Sequence, residues 1–220
     1  MLIDYFKLVS APHVLIAGST GSGKSTMLHG IIRAIIENGG KVVLIDPKRV
    51  ELSFYKDHTQ TWAYSTELND IELLLDRVIA TMERRYADMQ REQTRFCKFT
   101  HVFVLIDELA DLMVQDKKGI SARLQRITQL GRACNIHLIA CTQAPDRTYT
   151  LPAPLKLNFT DKVALRCDTA IESKQVIGIK GAENLPIYGK ALWRSPDGLK
   201  EVDIPYFSDA DIQDTVRITA

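Results

Sequence analysis

Two hydrophobic rhythms alternate along this chain. Short apolar runs rich in Val, Ile and Leu occupy His13–Ala17, Lys41–Ile45, Val102–Ile106 and Ile136–Cys141. They are continuous rather than alternating, as expected of strands buried on both faces. Thr61–Tyr64, Lys162–Arg166, Lys190–Arg194 and Glu201–Pro205 read as further strands. Between the runs the period becomes helical. Lys24–Glu37 puts Met27, Leu28, Ile31, Ile32, Ile35 and Ile36 on one face, and Asn38-Gly39-Gly40 supplies a helix stop. Glu67–Arg95 is a long helical segment whose stripe is Ile71, Leu74, Leu75, Val78, Ile79 and Met82. Glu108–Met113 and a basic amphipathic stretch, Ile120–Ala133, are two more helices.

Strand–helix alternation predicts an α/β fold: a mostly parallel sheet with helices on both faces. The chain has 220 residues, and about 150 residues per domain makes one domain, 1–220, the default. No Pro/Gly/Ser-rich linker divides it, and no internal repeat is visible. The loop Ala144–Asn158 holds Pro145, Pro152 and Pro154 and is long for such a fold, which marks it as functional. Composition adds only exclusions. With 45% hydrophobic and 25% charged residues, the chain is neither disordered nor fibrous.

Net charge is +1, so no global basic excess announces nucleic acid. Locally, residues 117–145 contain no Asp or Glu but hold Lys117, Lys118, Arg123, Arg126 and Arg132. From Pro196 onward there are six acids and two bases, read here as a solvated helix face. Cys97, Cys134, Cys141 and Cys167 form no C-x-x-C pair, so neither a zinc site nor a disulfide framework is expected. A reducing cytoplasm is the simpler location. The start, Met1-Leu2-Ile3-Asp4, lacks a signal-peptide pattern, and every apolar run is far shorter than the ~18 residues of a membrane span.

The strongest motif is Gly18-Ser19-Thr20-Gly21-Ser22-Gly23-Lys24-Ser25, with Thr26 following. It fits G-x-x-x-x-G-K-[ST], follows a predicted strand and opens a predicted helix, the context that marks a P-loop. Glycines let successive backbone N–H groups turn inward as an anion nest, and the helix start adds its positive dipole end. Lys24 is expected to reach the β- and γ-phosphates of ATP. Ser25 is expected to ligate Mg²⁺.

Val102-Phe103-Val104-Leu105-Ile106-Asp107-Glu108 is an apolar strand ending in two acids. Alone it could equally be a helix start with favourable acids. Behind a P-loop it reads as Walker B: Asp107 holds Mg²⁺ through water, and Glu108 polarises the attacking water. Such a pair fits an ATP hydrolase better than a P-loop kinase. Thr142-Gln143 closes the next strand. Gln143 either senses the γ-phosphate or orients water, or it simply ends a strand.

These residues resemble the FtsK/SpoIIIE-type DNA translocases. The resemblance runs through Pro12–Ser25, Ile45-Asp46-Pro47-Lys48, Glu51–Tyr55, Met82-Glu83-Arg84-Arg85-Tyr86, Asp107–Met113, Gly131–Leu138, Ala140–Pro145 and Gly181–Leu185. It spans about Pro12 to Arg194 with the motifs in order. It implies a RecA-like P-loop NTPase motor core, a hexameric ring around double-stranded DNA, and ATP bound between subunits. Arg132 is then either the arginine that reaches a neighbour's γ-phosphate or a surface arginine on a basic face. Asp46 and Lys48 are either site residues or ordinary turn chemistry. Where the family shows an Arg-containing strand and an Asp-Ser-Arg motif, this chain reads Lys162-Val163-Ala164-Leu165 and Glu172-Ser173-Lys174. Lys does not replace the Arg fork. The family's membrane segments, linker, preceding domain and winged-helix module are expected to be absent. That fits a minimal translocase from a mobile element, phage or conjugative system, or an excised motor domain.

DNA contacts are expected from Gln115–Gly119, with Lys117 and Lys118, and from Ala144–Asn158, with Arg147 and Lys156; such contacts engage phosphates without reading sequence. The alternative to a DNA motor is a related ATPase driving protein export of the type VII secretion kind. A nucleotide-binding regulatory subunit with little turnover is a third reading, which intact Lys24 and Asp107-Glu108 oppose.

Overall fold

The computed structural model describes residues 5–143 and 151–218. Its strands are β1 (His13–Ala17), β2 (Lys41–Ile45), β3 (Thr61–Ser65), β4 (Val102–Ile106), β5 (Ile136–Thr142), β6 (Asp161–Ala164), β7 (Lys190–Ser195) and β8 (Gly198–Asp203). They form one sheet in the order β3-β2-β4-β5-β1-β6-β7-β8. All pairings from β3 to β6 are parallel; β6–β7 and β7–β8 are antiparallel.

The continuous apolar runs divide their side chains between two cores. Val14 and Ile16, Val42 and Leu44, Phe103 and Leu105, and Ile139 and Cys141 face one side. Leu15, Val43, Ile45, Val104, Ile106, Leu138 and Ala140 face the other. The first side is covered mainly by α2 (Lys24–Glu37), through Met27, Leu28, Ile31, Ile32 and Ile35. The second is covered by α3 (Leu68–Arg91), α4 (Leu109–Gln115) and α5 (Lys117–Leu130). Each fully buried aliphatic side chain contributes about 1.5–3 kcal/mol. Arg123 pairs with Asp76 and Arg126 with Glu83 across α3 and α5. These ion pairs are solvent-exposed and worth ~0–1 kcal/mol each, so apolar packing, not charge, joins the two helices.

Several boundaries differ from expectation. The stretch 115–119 is not a loop: Gln115 ends α4, Asp116 caps α5 through a bond from Gly119 N–H, and Lys117 and Lys118 open α5. Arg132, itself exposed, follows α5 on a 3-10 turn, Gly131–Cys134, whose two end residues are buried. The long helix stops at Arg91, and Gln93 takes a left-handed φ of 52°. Part of the Pro-containing loop forms α6 (Ala153–Asn158), with Lys156 on it and Asn158 bonded to Thr128 of α5. Pro145 and Arg147 lie outside the described residues. Three further helices appear: α1 (Tyr5–Ser10), α7 (Ala170–Ile177) and α8 (Asp209–Arg217). The last two start on capping boxes, Thr169 with Glu172 and Ser208 with Asp211.

Arg85 and Tyr86 of α3 brace the far end of the sheet. Arg85 is buried and donates to the carbonyls of Cys134 (2.7 Å) and Thr100 (3.0 Å). Tyr86 donates to the Leu130 carbonyl at 2.8 Å. No helix among the described residues is long and apolar enough to cross a membrane.

Candidate functional site

The parallel strands deliver polar residues to one edge, the carboxyl ends where open α/β sheets bind ligands. β1 runs into Gly18, β2 into Asp46, β4 into Asp107 and Glu108, and β5 ends at Thr142 before Gln143.

Local geometry explains the glycines at both ends of the loop. A Cβ on Gly18 would lie 2.8 Å from Leu165 Cβ and 3.1 Å from the Arg166 carbonyl. Gly23 sits at φ 98° and precedes α2 with no side-chain cap. The first N–H groups of α2 are therefore left for an anion. The loop's first half is tied to the end of β6. Ser19 N–H donates to the Arg166 carbonyl (2.9 Å), and its hydroxyl donates to Asp168 Oδ1 (2.7 Å).

Lys24 is almost buried and folds into its own loop. Its Nζ donates to the carbonyls of Gly18 (2.7 Å) and Ser19 (2.8 Å). Burial lowers its pKa, partly offset by charges that include Glu108 and Asp107. The ammonium is thus held at the loop, ready to exchange carbonyl partners for phosphate oxygens.

Glu108 is buried and held from three directions. Ala110 N–H (3.4 Å) and Gln143 N–H (3.2 Å) donate to Oε1, and Lys48 Nζ lies 3.4 Å from Oε2. Lys48 also stands 3.8 Å from Asp111. The Gln143 side chain accepts from Thr20 Oγ1 at 2.9 Å, joining β5 to the phosphate loop.

Asp107 is held in an electrostatically crowded place. Burial, with Asp46, Glu51 and Glu108 nearby, pushes its carboxyl up to about 6, against an ordinary 3.8. Asp46 accepts from Leu52 N–H through Oδ2, while its buried Oδ1 has no hydrogen-bond partner among the described residues. This crowding of carboxylates suits a divalent cation. Among the described residues no three carboxylate, imidazole or thiol groups converge on one metal position. A cation here would take most of its ligands from phosphate oxygens and water, as Mg²⁺ does at phosphate sites.

A cavity of about 580 Å³ opens beside the phosphate loop; Thr20, Lys24, Ser25, Thr26, Glu51 and Gln143 line its polar part, while Asp46, Asp107 and Glu108 are not among its lining residues. Its size falls in the ~300–1,000 Å³ range of small-ligand sites. Glu51 had no assigned role in the sequence. It accepts hydrogen bonds from His29 and Ser25, which hold its carboxyl below the ordinary range. His29 Nε2 is 3.5 Å from Glu51 Oε2. Glu51 lies 26 positions after Ser25 in the chain, so no local spacing pointed to it.

The structure brings Gly18–Thr26, Asp107, Glu108 and Gln143 together at this edge. It does not bring Arg132 there. The 3-10 turn carrying Arg132 precedes β5, at the sheet edge opposite the phosphate loop.

Comparison with known proteins agrees with this geometry. The model of the FtsK/SpoIIIE family matches residues 3–101 and 93–147. The chain belongs to the FtsK/SpoIIIE family. Among curated relatives, a DNA translocase FtsK of Staphylococcus aureus (strain Mu50) is 35% identical over 232 aligned positions, covering 94% of this chain and 29% of the relative. One from Helicobacter pylori (strain J99) is 34% identical, covering 95% of this chain and 27% of the relative. The chain therefore spans less than a third of the curated relatives it matches. Among solved structures, the pCW3 conjugation coupling protein TcpA, in monomer form with ATPγS, superposes with a TM-score of 0.84 at 24% identity. It covers 96% of this chain and 65% of its own. The type VII secretion ATPase EccC of Thermomonospora curvata gives 0.74 at 21% identity, covering 94% of this chain and 27% of its own. Both likenesses speak to the fold, a P-loop ATPase sheet.

Proposed function

We propose that residues 1–220 form one motor domain that hydrolyses ATP and translocates double-stranded DNA, assembled as a hexameric ring. The observation that carries this reading is the joining of Lys24, Asp107, Glu108 and Gln143 at one sheet edge, in a chain about a third identical to proteins named DNA translocases. The likeness to a secretion ATPase, at 21% identity, carries fold alone, so it does not favour a protein-export machine.

In the proposed mechanism the backbone of Gly18–Gly23 and the start of α2 cradle the phosphates, with Thr26 on the adjoining turn. Lys24 releases the Gly18 and Ser19 carbonyls and neutralises the β- and γ-phosphates. Ser25 and Asp107 would hold Mg²⁺, which supplies charge neutralisation when bound. Glu108 orients a water against the γ-phosphorus and takes its proton on the carboxylate, while ADP leaves. Gln143 positions that carboxylate through its backbone N–H. Arg132, remote from its own loop, acts on the site of a neighbouring subunit. Lys117, Lys118, Arg147 and Lys156 engage DNA phosphates; among the described residues Lys117 and Lys118 are exposed and make no ion pair. A cytoplasmic site of action is supported by four free cysteines, three of them buried.

Steady-state ATP hydrolysis with and without long duplex DNA, at two salt concentrations and several protein concentrations, tests the proposal. Stimulation that falls with salt and rises cooperatively with protein is expected. Turnover indifferent to DNA would overturn the DNA assignment and leave the ATPase. Arg132→Ala, with turnover unchanged in an assembled ring, would remove Arg132 from the mechanism.

A further inference from the structure

The sheet has an end that the nucleotide site leaves unused. β3 closes the sheet on one side and is bonded only to β2. Its outward N–H and C=O groups therefore have no strand to meet. Edge strands are commonly blunted by proline, charge or brevity. β3 reads Thr61-Trp62-Ala63-Tyr64-Ser65, with neither proline nor charge, and its five residues are an ordinary strand length. The register against β2 slips by one at Trp62, between the Thr61 and Ala63 pairings. Such a bulge re-aims a side chain at an edge. Here Trp62 and Ala63 stand on one groove with α3.

Beside this edge runs a basic face of α3. Leu73, Arg77, Ala80 and Arg84 recur along it at helical spacing. Two hollows of about 280 and 350 Å³ lie between this face and β3; they share Ala63, Leu74 and Arg77 and so form one groove. Trp62 and Leu73, its apolar points, are 45% and 63% exposed. Three acids of α3 are engaged elsewhere: Glu72 and Asp76 pair with Arg123 of α5, and Glu83 pairs with Arg126. Arg77 and Arg84 are exposed and make no ion pair among the described residues. One carboxylate, Asp70, lines the far end of the groove.

Length decides what fits. From Leu73 to Arg84 the helix advances about 16 Å, at ~1.5 Å per residue. Five residues of extended chain also cover about 16 Å, at ~3.3 Å per residue. Alternate side chains of an extended chain share a face, so the first, third and fifth look into the groove together. Arg77 and Arg84 stand about 10 Å apart along the helix axis, and Trp62 lines the hollow that holds both. Acids at the outer two positions and an apolar side chain at the middle one complement that order. A DNA strand meets the arginines and the indole, but its backbone has no N–H for the outward carbonyls of β3. A peptide backbone satisfies both donors and acceptors of the edge.

We propose that the edge of β3 and the Leu73–Arg84 face of α3 bind an extended acidic segment of a partner protein, added to the eight-stranded sheet as one more strand. The segment carries acid, apolar and acid side chains at alternate positions. No residue lining this groove lines the nucleotide cavity, so the proposal does not depend on the nucleotide-site reading.

The test uses a capped seven-residue peptide with glutamate second and sixth, phenylalanine fourth and threonine elsewhere. Binding is followed by calorimetry and by tryptophan emission, since Trp62 is exposed and Trp193 is buried. The peptide should shift emission to the blue, and Trp62→Phe should abolish the shift. Arg77→Glu/Arg84→Glu should weaken binding about tenfold or more, and a lysine form of the peptide should prefer that variant. N-methylating one alternate set of peptide nitrogens should weaken binding by a similar factor, about tenfold, and the other set should be tolerated. Both arginines are exposed, so the variant is expected to fold, and a thermal melt checks this. No binding by the parent at millimolar peptide would overturn the proposal. Equal affinity for the glutamate and lysine peptides, or indifference to N-methylation, would do the same. Tighter binding of single-stranded oligothymidylate, lost in the arginine variant, would make the face a nucleic-acid site instead. Self-association of the parent that the variant abolishes would make the occupant a second copy.

Discussion

The backbone N–H of Gln143 donates to Glu108 Oε1 at 3.2 Å, while its side chain accepts from Thr20 Oγ1 at 2.9 Å. One residue thus touches both the proposed general base and the phosphate loop. Gln143→Ala removes the Thr20 bond and keeps the backbone bond. Turnover should fall roughly tenfold, the cost of one oriented hydrogen bond, with ATP affinity nearly kept. Single-turnover phosphate release beside equilibrium binding measures both.

Glu108→Gln keeps the volume and the contact with Gln143 but cannot take a proton. Turnover should drop by about 10²–10⁴, with nucleotide still bound. A filter-binding assay at ATP concentrations that saturate the parent separates the two effects.

Lys24→Ala removes the ammonium that bridges the Gly18 and Ser19 carbonyls. Both nucleotide affinity and turnover should be lost. Retention of parental affinity by calorimetry would contradict the role given to Lys24.

Lys48 is a positioning residue, acting through Glu108 from across 3.4 Å. Lys48→Ala frees Oε2, so kcat should fall about tenfold with KM little changed. Lys48→Arg should recover part of the rate. A change confined to KM would indicate that Lys48 meets the nucleotide instead.

At the opposite edge, His13 and His137 are buried, and burial holds them near 4 and 3 respectively, below the ordinary 6.5. His101 and Arg85 lower His137 further, while the Thr128 backbone partly raises His13 and the Pro12 backbone His137. His101 Nδ1 lies 2.8 Å from His137 Nε2. Below pH 6.5 the unfolded chain binds protons that the fold refuses, so stability falls as pH drops toward 4. Each such imidazole adds up to ~1.4 kcal/mol per pH unit to the slope. Urea midpoints at pH 7, 6 and 5 should show this, and His137→Gln should flatten it.

The four central strands are readable because burial on both faces writes them as unbroken Val/Ile/Leu runs. The phosphate loop is readable because glycine, lysine and serine must stand at fixed spacing. Other features carry weaker local signals. Thr169 with Glu172 and Ser208 with Asp211 do mark helix starts, but helices of eight and nine residues offer only about two turns of period to read. The pairing of Lys48 with Glu108 spans 60 positions and exists only once β2 and β4 lie side by side. The hairpin flanks at Tyr188 and Tyr206 are ordinary loop residues until the fold sets them on the same cavity as Ser25 and Thr26. Arg132 has no local signal of its own and is a candidate to reach a neighbour's site only through the family resemblance; the strand between it and Gln143 sets it at the sheet edge opposite the phosphate loop.

The two halves of the phosphate loop differ in how they are fastened. Gly18 and Ser19 are wedged against Leu165 and Arg166 with no spare space. Thr20 is joined to β5 by a single hydroxyl bond on the surface. In mechanical terms the loop has a stiff abutment and a compliant side. A load applied to the loop at Thr20 would therefore meet less resistance than one applied at Gly18.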